Sequence, residues 1–189
     1  MYLLQNTGTL LLNYKQCKNQ YGSDYRIKKL IKTKKLFKVQ DGIYSTEEYN
    51  SELGVISMKY PAAVFTMDSA FYFHALTDVI PDVNHLATKR EATRIHAGNI
   101  RQYFIKDELF DIGKISMNYQ GDEIQIYNLE RMLIELIRNK ARLPFDYYKE
   151  IIGNYRNRVS DMDFGLVGEY AGHFKMGQKI MNTIQMEVL

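Results

Sequence analysis

Residues 23–44 read SDYRIKKLIKTKKLFKVQDGIY, and their order predicts a capped basic helix followed at once by a short β-hairpin. Ser23 suits an N-cap, and Asp24 puts negative charge in the first turn, where the helix dipole favours it. Ile27, Leu30 and Ile31 recur at helical spacing and mark the buried side. Tyr25, Lys28, Lys29 and Lys32 project on the opposite side, with Arg26 at its edge. Upstream, residues 13–20 predict a second short helix, with Tyr21-Gly22 as the turn between the two. Downstream, residues 36–39 and 43–45 flank Asp41-Gly42, a two-residue hairpin signal. Helix, turn, basic helix and hairpin together give the layout of a winged helix-turn-helix, with the hairpin as the wing.

Charge separates this segment from the rest. Of the first 46 residues nine are Lys or Arg and two are acidic, a net charge of +7. The whole chain carries only +3, so residues 47–189 carry −4. A cationic head on a mildly acidic body predicts two parts with different partners: a DNA-binding domain over 1–46 and an α+β domain over 47–189. The residues expected to meet double-stranded DNA are Ser23, Tyr25, Arg26, Lys28, Lys29, Lys32, Lys34, Lys35 and Lys38. Tyr21 and Tyr44 are further candidates for phosphate contacts, although Tyr44 fits the core of the wing equally well.

With 46% hydrophobic and 25% charged residues, the 189-residue chain should fold as one ordinary domain plus a small one. A lone Cys17 allows no internal disulfide and argues against a thiolate metal site, which suits a reducing cytoplasm. Residues 1–12 lack the positive start of a secretory signal. The most apolar long window, residues 62–80, contains Asp68, His74 and Asp78 and fits no bilayer.

In the body, Pro61 stops a short helix and residues 63–66 predict a strand. Residues 67–76 have the density of a buried helix, and 83–88 and 100–105 read as strands. Ile115, Met117 and Tyr119 alternate with polar residues, Gly121-Asp122 turns the chain, and Ile124 and Ile126 return it. Asn128 caps a helix with Leu129, Met132, Leu133, Leu136 and Ile137 as its stripe. Pro144 opens another, with Phe145, Tyr148, Ile151, Ile152 and Tyr155 facing inward. After Ser160 the tail is helical, carrying Leu166, Tyr170, Phe174, Ile180, Met181 and Ile184. Its glycines at 165, 168, 172 and 177 predict close helix packing or a break. A few strands followed by several helices give an α+β class, with a small antiparallel sheet and a multi-helix remainder.

The run Ser23, Tyr25, Ile27, Leu30, Ile31, Lys32, then Leu36, Phe37, Lys38, Val39, Gly42, Ile43 and Tyr44, resembles the N-terminal winged helix of AbiEi-type antitoxins. These belong to bacterial abortive-infection (type IV) toxin–antitoxin systems of phage defence. The resemblance extends over roughly residues 9–155 through Lys59-Tyr60-Pro61, Ser69-Ala70, Tyr127-Asn128-Leu129-Glu130-Arg131 and Leu136-Ile137-Arg138-Asn139. It implies an antitoxin that binds operator DNA to repress its own operon. It also implies that the protein counteracts a nucleotidyltransferase-like toxin of the AbiEii type, with or without stable contact. A winged-helix regulator with a partner- or ligand-sensing body, outside any toxin system, is the alternative. The oligomeric state stays open.

The chemistry-bearing residues do not assemble into a catalytic pattern. His74, His85, His96 and His173 lack metal-ligand spacing. Asp68, Ser69 and His74 lack the elbow that a nucleophilic serine needs. Asp163-Phe164-Gly165 has no kinase loops before it, and Asp161 with Asp163 suits a helix start better than a metal pair. No P-loop or Rossmann glycines are present, so no cofactor, no metal and no enzymatic activity are expected. If the helix after Asn128 is core, Leu133→Ala lowers stability by about 2–5 kcal/mol in denaturant unfolding. An unchanged midpoint would place that stripe at the surface.

Overall fold

The computed structural model describes residues 11–189. The reading of residues 1–12 as lacking a signal, and the first residues of the resembling stretch, fall outside the described residues as far as residue 10. The architecture is α+β, in two compact units. Among the described residues, one holds 11–61 together with Asn118–Ile124, and the other holds Ala62–Met117 and Gln125–Leu189.

The first unit begins with β1 (Leu11–Asn13), α1 (Tyr14–Tyr21) and α2 (Asp24–Lys32). Asn13 and Gln16 cap α1 reciprocally: the Gln16 N–H donates to Asn13 Oδ1 at 2.9 Å and the Asn13 N–H to Gln16 Oε1 at 2.8 Å. Gly22, at φ +89°, ends α1 in a backbone region where only glycine is comfortable, and Ser23 then caps α2. The hairpin β2 (Phe37–Gln40) and β3 (Ile43–Ser45) turns at Asp41-Gly42, and β1 pairs antiparallel with β3 to make a sheet of order β1-β3-β2. The register slips between Lys38 and Gln40, so the hairpin carries a bulge at Val39. Leu12, Cys17, Ile27 and Leu36 form the core, with Tyr21, Leu30, Ile31 and Tyr44 packed against it. Strand β1 is absent from the sequence reading.

The compact unit continues past residue 46 to α3 (Glu52–Lys59), capped by Ser51 and packed on β1 and β3. Gly54 is required there, since a Cβ would lie 2.6 Å from Asp122 Oδ1 and 3.1 Å from Leu11 Cδ1.

In the second unit the strands are β4 (Val64–Phe65), β5 (Asn84–Lys89), β6 (Ile100–Ile105), β7 (Lys114–Tyr119) and β8 (Asp122–Tyr127), in the order β6-β5-β4-β8-β7. The tip of the β7–β8 hairpin counts with the first unit. The sheet is mixed, which corrects the antiparallel expectation: β4 pairs antiparallel with β5, but β4–β8 and β5–β6 are parallel. The parallel β5–β6 pair is reached through residues 90–99 without a crossover helix. Gln102 pins the loop between them. Its Nε2 donates to Thr88 Oγ1 at 2.8 Å and to the Thr93 carbonyl at 3.2 Å, while its Oε1 accepts from the Ile95 N–H at 2.7 Å. The β7–β8 turn falls on Gln120-Gly121, at φ +51° and +96°, one residue earlier than expected, because both central residues of a tight hairpin turn must be left-handed.

The helices are α4 (Met67–Phe73), α5 (Asp107–Phe110), α6 (Leu129–Asn139), α7 (Phe145–Asn157), α8 (Phe164–Gly172) and α9 (Gly177–Glu187). Tyr148, Ile151, Ile152 and Tyr155 form the inner face of α7 as expected, but Phe145 is 69% exposed. It sits on the first turn with Pro144 and Asp146, all outside the packed layer. The tail breaks between α8 and α9, where Met176 adopts φ +65°. Gly177 lets the two helices meet, since a Cβ there would run into the Ala171 carbonyl oxygen.

Helix α6 hides an ionic centre. Arg131 is fully buried and donates through Nε and Nη2 to Glu135 Oε1, at 3.1 and 2.9 Å. Its Nη1 donates to the Leu109 and Ile112 carbonyls, at 2.8 and 3.1 Å. The Phe174 ring lies against both Arg131 and Arg138, 4.7 and 4.5 Å from their guanidinium carbons, so the break after α8 is seated on two cations. Arg131→Ala should cost about 3–5 kcal/mol in denaturant unfolding, and Arg131→Lys should recover little of it, because an ammonium lacks the planar fork. Full recovery by lysine would show that charge alone suffices.

Candidate nucleic-acid interface

Helix α2 is set by its apolar side. Ile27 is 3% exposed, and Leu30 and Ile31 are half-buried, so the helix has one way to lie on the core. That placement turns Tyr25, Lys28, Lys29 and Lys32 to solvent, with Tyr25 77% exposed. All the residues predicted for DNA contact are exposed: Ser23, Tyr25, Arg26, Lys28, Lys29, Lys32, Lys34, Lys35 and Lys38.

Their surroundings differ. Ser23 Oγ accepts from the Arg26 N–H at 3.4 Å and so spends its side chain on the cap. Arg26, Lys28, Lys29, Lys32, Lys34 and Lys35 enter no ion pair among the described residues. Lys38 is different, because its Nζ lies 2.6 Å from Asp41 Oδ1 across the hairpin turn. That hydrogen bond raises the Lys38 ammonium above its ordinary pKa and lowers the Asp41 carboxyl below its own. Lys38 thus stays charged, with its charge compensated by Asp41 on the same hairpin.

The end of α2 carries a feature invisible in the sequence. Lys34 is left-handed at φ +54°, its N–H donates to the Ile31 carbonyl at 3.1 Å, and the Lys35 N–H reaches back to the Leu30 carbonyl at 3.0 Å. This double closure is the Schellman motif, with a lysine in the place glycine usually takes. It folds the chain sharply and sets Lys34 and Lys35 beside the last turn. There Gln20, Tyr21, Arg26, Lys29, Leu30, Thr33 and Lys35 line a hollow of about 430 Å³. Cations on an exposed helix beside a basic hollow are suited to a phosphodiester chain.

Helices α1 and α2 are clamped to each other by polar groups as well as by the core. Tyr14 Oη donates to Asp24 Oδ1 at 2.8 Å, and Lys18 Nζ donates to Tyr14 Oη at 3.3 Å. Asp24 therefore braces the turn in addition to sitting at the dipole's positive end. Tyr21 and Tyr44 are half-buried against the core, which leaves Tyr25 as the fully presented phenol.

The catalytic candidates of the second unit are placed apart or are engaged in the structure. Ser69 is buried and its Oγ accepts from the His85 N–H at 2.9 Å, while His74 Nε2 donates to the Tyr127 carbonyl at 2.7 Å. Asp68 faces His85 instead, with Nε2 to Oδ2 at 3.6 Å, and accepts from Tyr147 Oη at 3.4 Å. Tyr103 Oη lies 3.2 Å from the other nitrogen of His85. Asp163 caps α8 through the Gly165 and Leu166 N–H groups, at 2.8 and 3.1 Å, and Asp161 pairs with Arg158. Among the described residues no group of three or more His, Cys, Asp or Glu side chains is placed to hold a metal ion. No described helix is long and apolar enough to cross a membrane. No protein-family model matches the chain, and no curated protein matches it.

Burial pushes both His74 and His85 below their ordinary pKa, the Asp68 carboxylate opposing the shift at His85. In the unfolded chain each imidazole gains its proton near the ordinary value of about 6.5. In the folded chain each gains it lower, so between the two values the unfolded state holds more protons. Stability is therefore full above about pH 6.5 and declines as the pH falls through the depressed values. The melting temperature should drop between about pH 7.5 and about pH 5.5, and the drop should shrink in a His74→Gln/His85→Gln variant. An identical pH profile in that variant would assign the dependence to other groups.

Proposed function

We propose that the chain is a DNA-binding antitoxin of the AbiEi kind, acting in the cytoplasm. Its first unit serves as a winged helix-turn-helix: α2 enters the major groove, and the β2–β3 hairpin acts as the wing beside it. The protein represses its own operon through that contact and counteracts a nucleotidyltransferase-like toxin. The observation that carries the DNA-binding reading is the set of exposed cations Arg26, Lys28, Lys29 and Lys32 on α2 and Lys34 and Lys35 just after it, which enter no ion pair among the described residues and are oriented by the apolar side of α2. The antitoxin part rests on the sequence resemblance quoted above.

Phosphates neutralised by six such cations release their counterions, so affinity should fall with a log–log salt slope of about −5. In fluorescence anisotropy with duplex from the protein's own promoter, charge reversal at Lys28, Lys29 and Lys32 should abolish binding. The melting temperature should hardly move, exposed substitutions being worth no more than about 0.5 kcal/mol. Undiminished promoter binding by that variant would refute the role given to α2. Growth rescue on co-expression with the neighbouring gene tests the antitoxin half separately.

A further inference from the structure

We infer that the second unit has a docking groove for an acidic, apolar-anchored helical segment of a partner protein, lying along α9. The groove is a hollow of about 750 Å³ between the end of α6, the start of α7 and α9. Its floor is apolar, from Ile137, Leu143, Tyr148 and Ile180. Two large apolar side chains at its margin are left in solvent: Phe145 is 69% exposed and Met176 64%. Both line the hollow, and an incoming apolar side chain would cover them.

Charge selects the occupant. Arg138, Lys140, Lys175 and Lys179 ring the hollow, against Glu187 as its sole acidic lining residue. Glu187 is already committed: one carboxylate oxygen takes Lys140 Nζ and the other accepts from Tyr148 Oη at 2.6 Å. Lys175 and Lys179 are exposed and enter no ion pair among the described residues. This cationic rim stands on a part of the chain, residues 47–189, whose net charge is −4, so it is a local concentration and not the background.

The shape favours a segment over a compact ligand. Met176, just before α9, and Ile180, Thr183 and Glu187 within it follow one another along the hollow, and α9 is 11 residues and so about 16 Å long. A groove beside a helix, with apolar anchors along its floor and charge at its edges, matches the recognition of an amphipathic helix by its i, i+3 and i+4 side chains. The occupant therefore carries apolar residues at that spacing, flanked by Asp or Glu.

The test is selection of random peptides displayed on phage against the full-length protein, counter-selected with a Lys175→Glu/Lys179→Glu variant. Peptides retained by the wild type and lost on the variant should combine carboxylates with apolar residues at helical spacing. A synthetic copy of the strongest should bind in anisotropy and weaken at least about tenfold with the double variant and with Phe145→Ala. Reversal at Lys28, Lys29 and Lys32 should leave that affinity unchanged, so failure here is distinguishable from failure of the DNA-binding reading. Circular dichroism of the variants confirms their fold. The inference is overturned if no peptide distinguishes the wild type from the variant, if the selected peptides lack carboxylates, or if promoter duplex displaces them, which would make the rim a nucleic-acid surface.

Discussion

The burial of Ile27 against Leu12, Cys17 and Leu36 is the contact on which the first unit depends. A nine-residue helix is too short to be stable alone in water, so α2 exists because its apolar side is covered. The same contact fixes the helix's rotation about its axis, and hence the direction in which its lysines point. Mutual repulsion among those lysines opposes the helix, and the Ser23 cap, the Asp24 carboxylate and the closure at Lys34 offset it at the two ends. A cationic surface of this kind can be dense only where the opposite side of the helix is strongly anchored.

In the second unit the corresponding anchor is polar. Glu135 accepts from Arg131 and Arg138 together, Arg131 satisfies two carbonyls around α5, and Phe174 lies on both guanidiniums. Each buried donor has an acceptor, which is what makes a fully buried arginine tolerable. Gly113, at φ +73°, is part of the same arrangement, because a Cβ there would lie 2.5 Å from Arg131 Cβ. The centre links α5, α6 and the break before α9, and so shapes the ground on which the hollow along α9 is built.

Elements defined by local chemistry were legible in the sequence. The caps Ser23 and Asn128, the Asp41-Gly42 turn and the stripes of α2, α6 and α7 all follow from residues within a few positions of each other. What could not be read depends on distant partners. β1 is three residues long and exists because β3 offers it an edge. The loop that joins the parallel β5–β6 pair is tied down by Gln102, a residue that looks like any polar strand residue. Arg131 and Glu135, four apart, have the spacing of an ordinary surface ion pair, yet both are buried. Phe145 shows the opposite failure, since it has the spacing of the α7 core but sits one turn beyond the packed layer. The basic face is legible from its residues, while the left-handed Lys34 and the pairing of Lys38 with Asp41 arise only from the folded backbone.

The central claim is that the outward side of α2 lies against duplex DNA, and lysine protection mapping reads this residue by residue. The protein is acetylated briefly with and without duplex from its own promoter, and each lysine is quantified by mass spectrometry. The account predicts strong protection of Lys28, Lys29, Lys32, Lys34 and Lys35, with Lys175 and Lys179 reacting equally in both samples. Protection confined to the second unit, with the α2 lysines fully reactive in the complex, would contradict it.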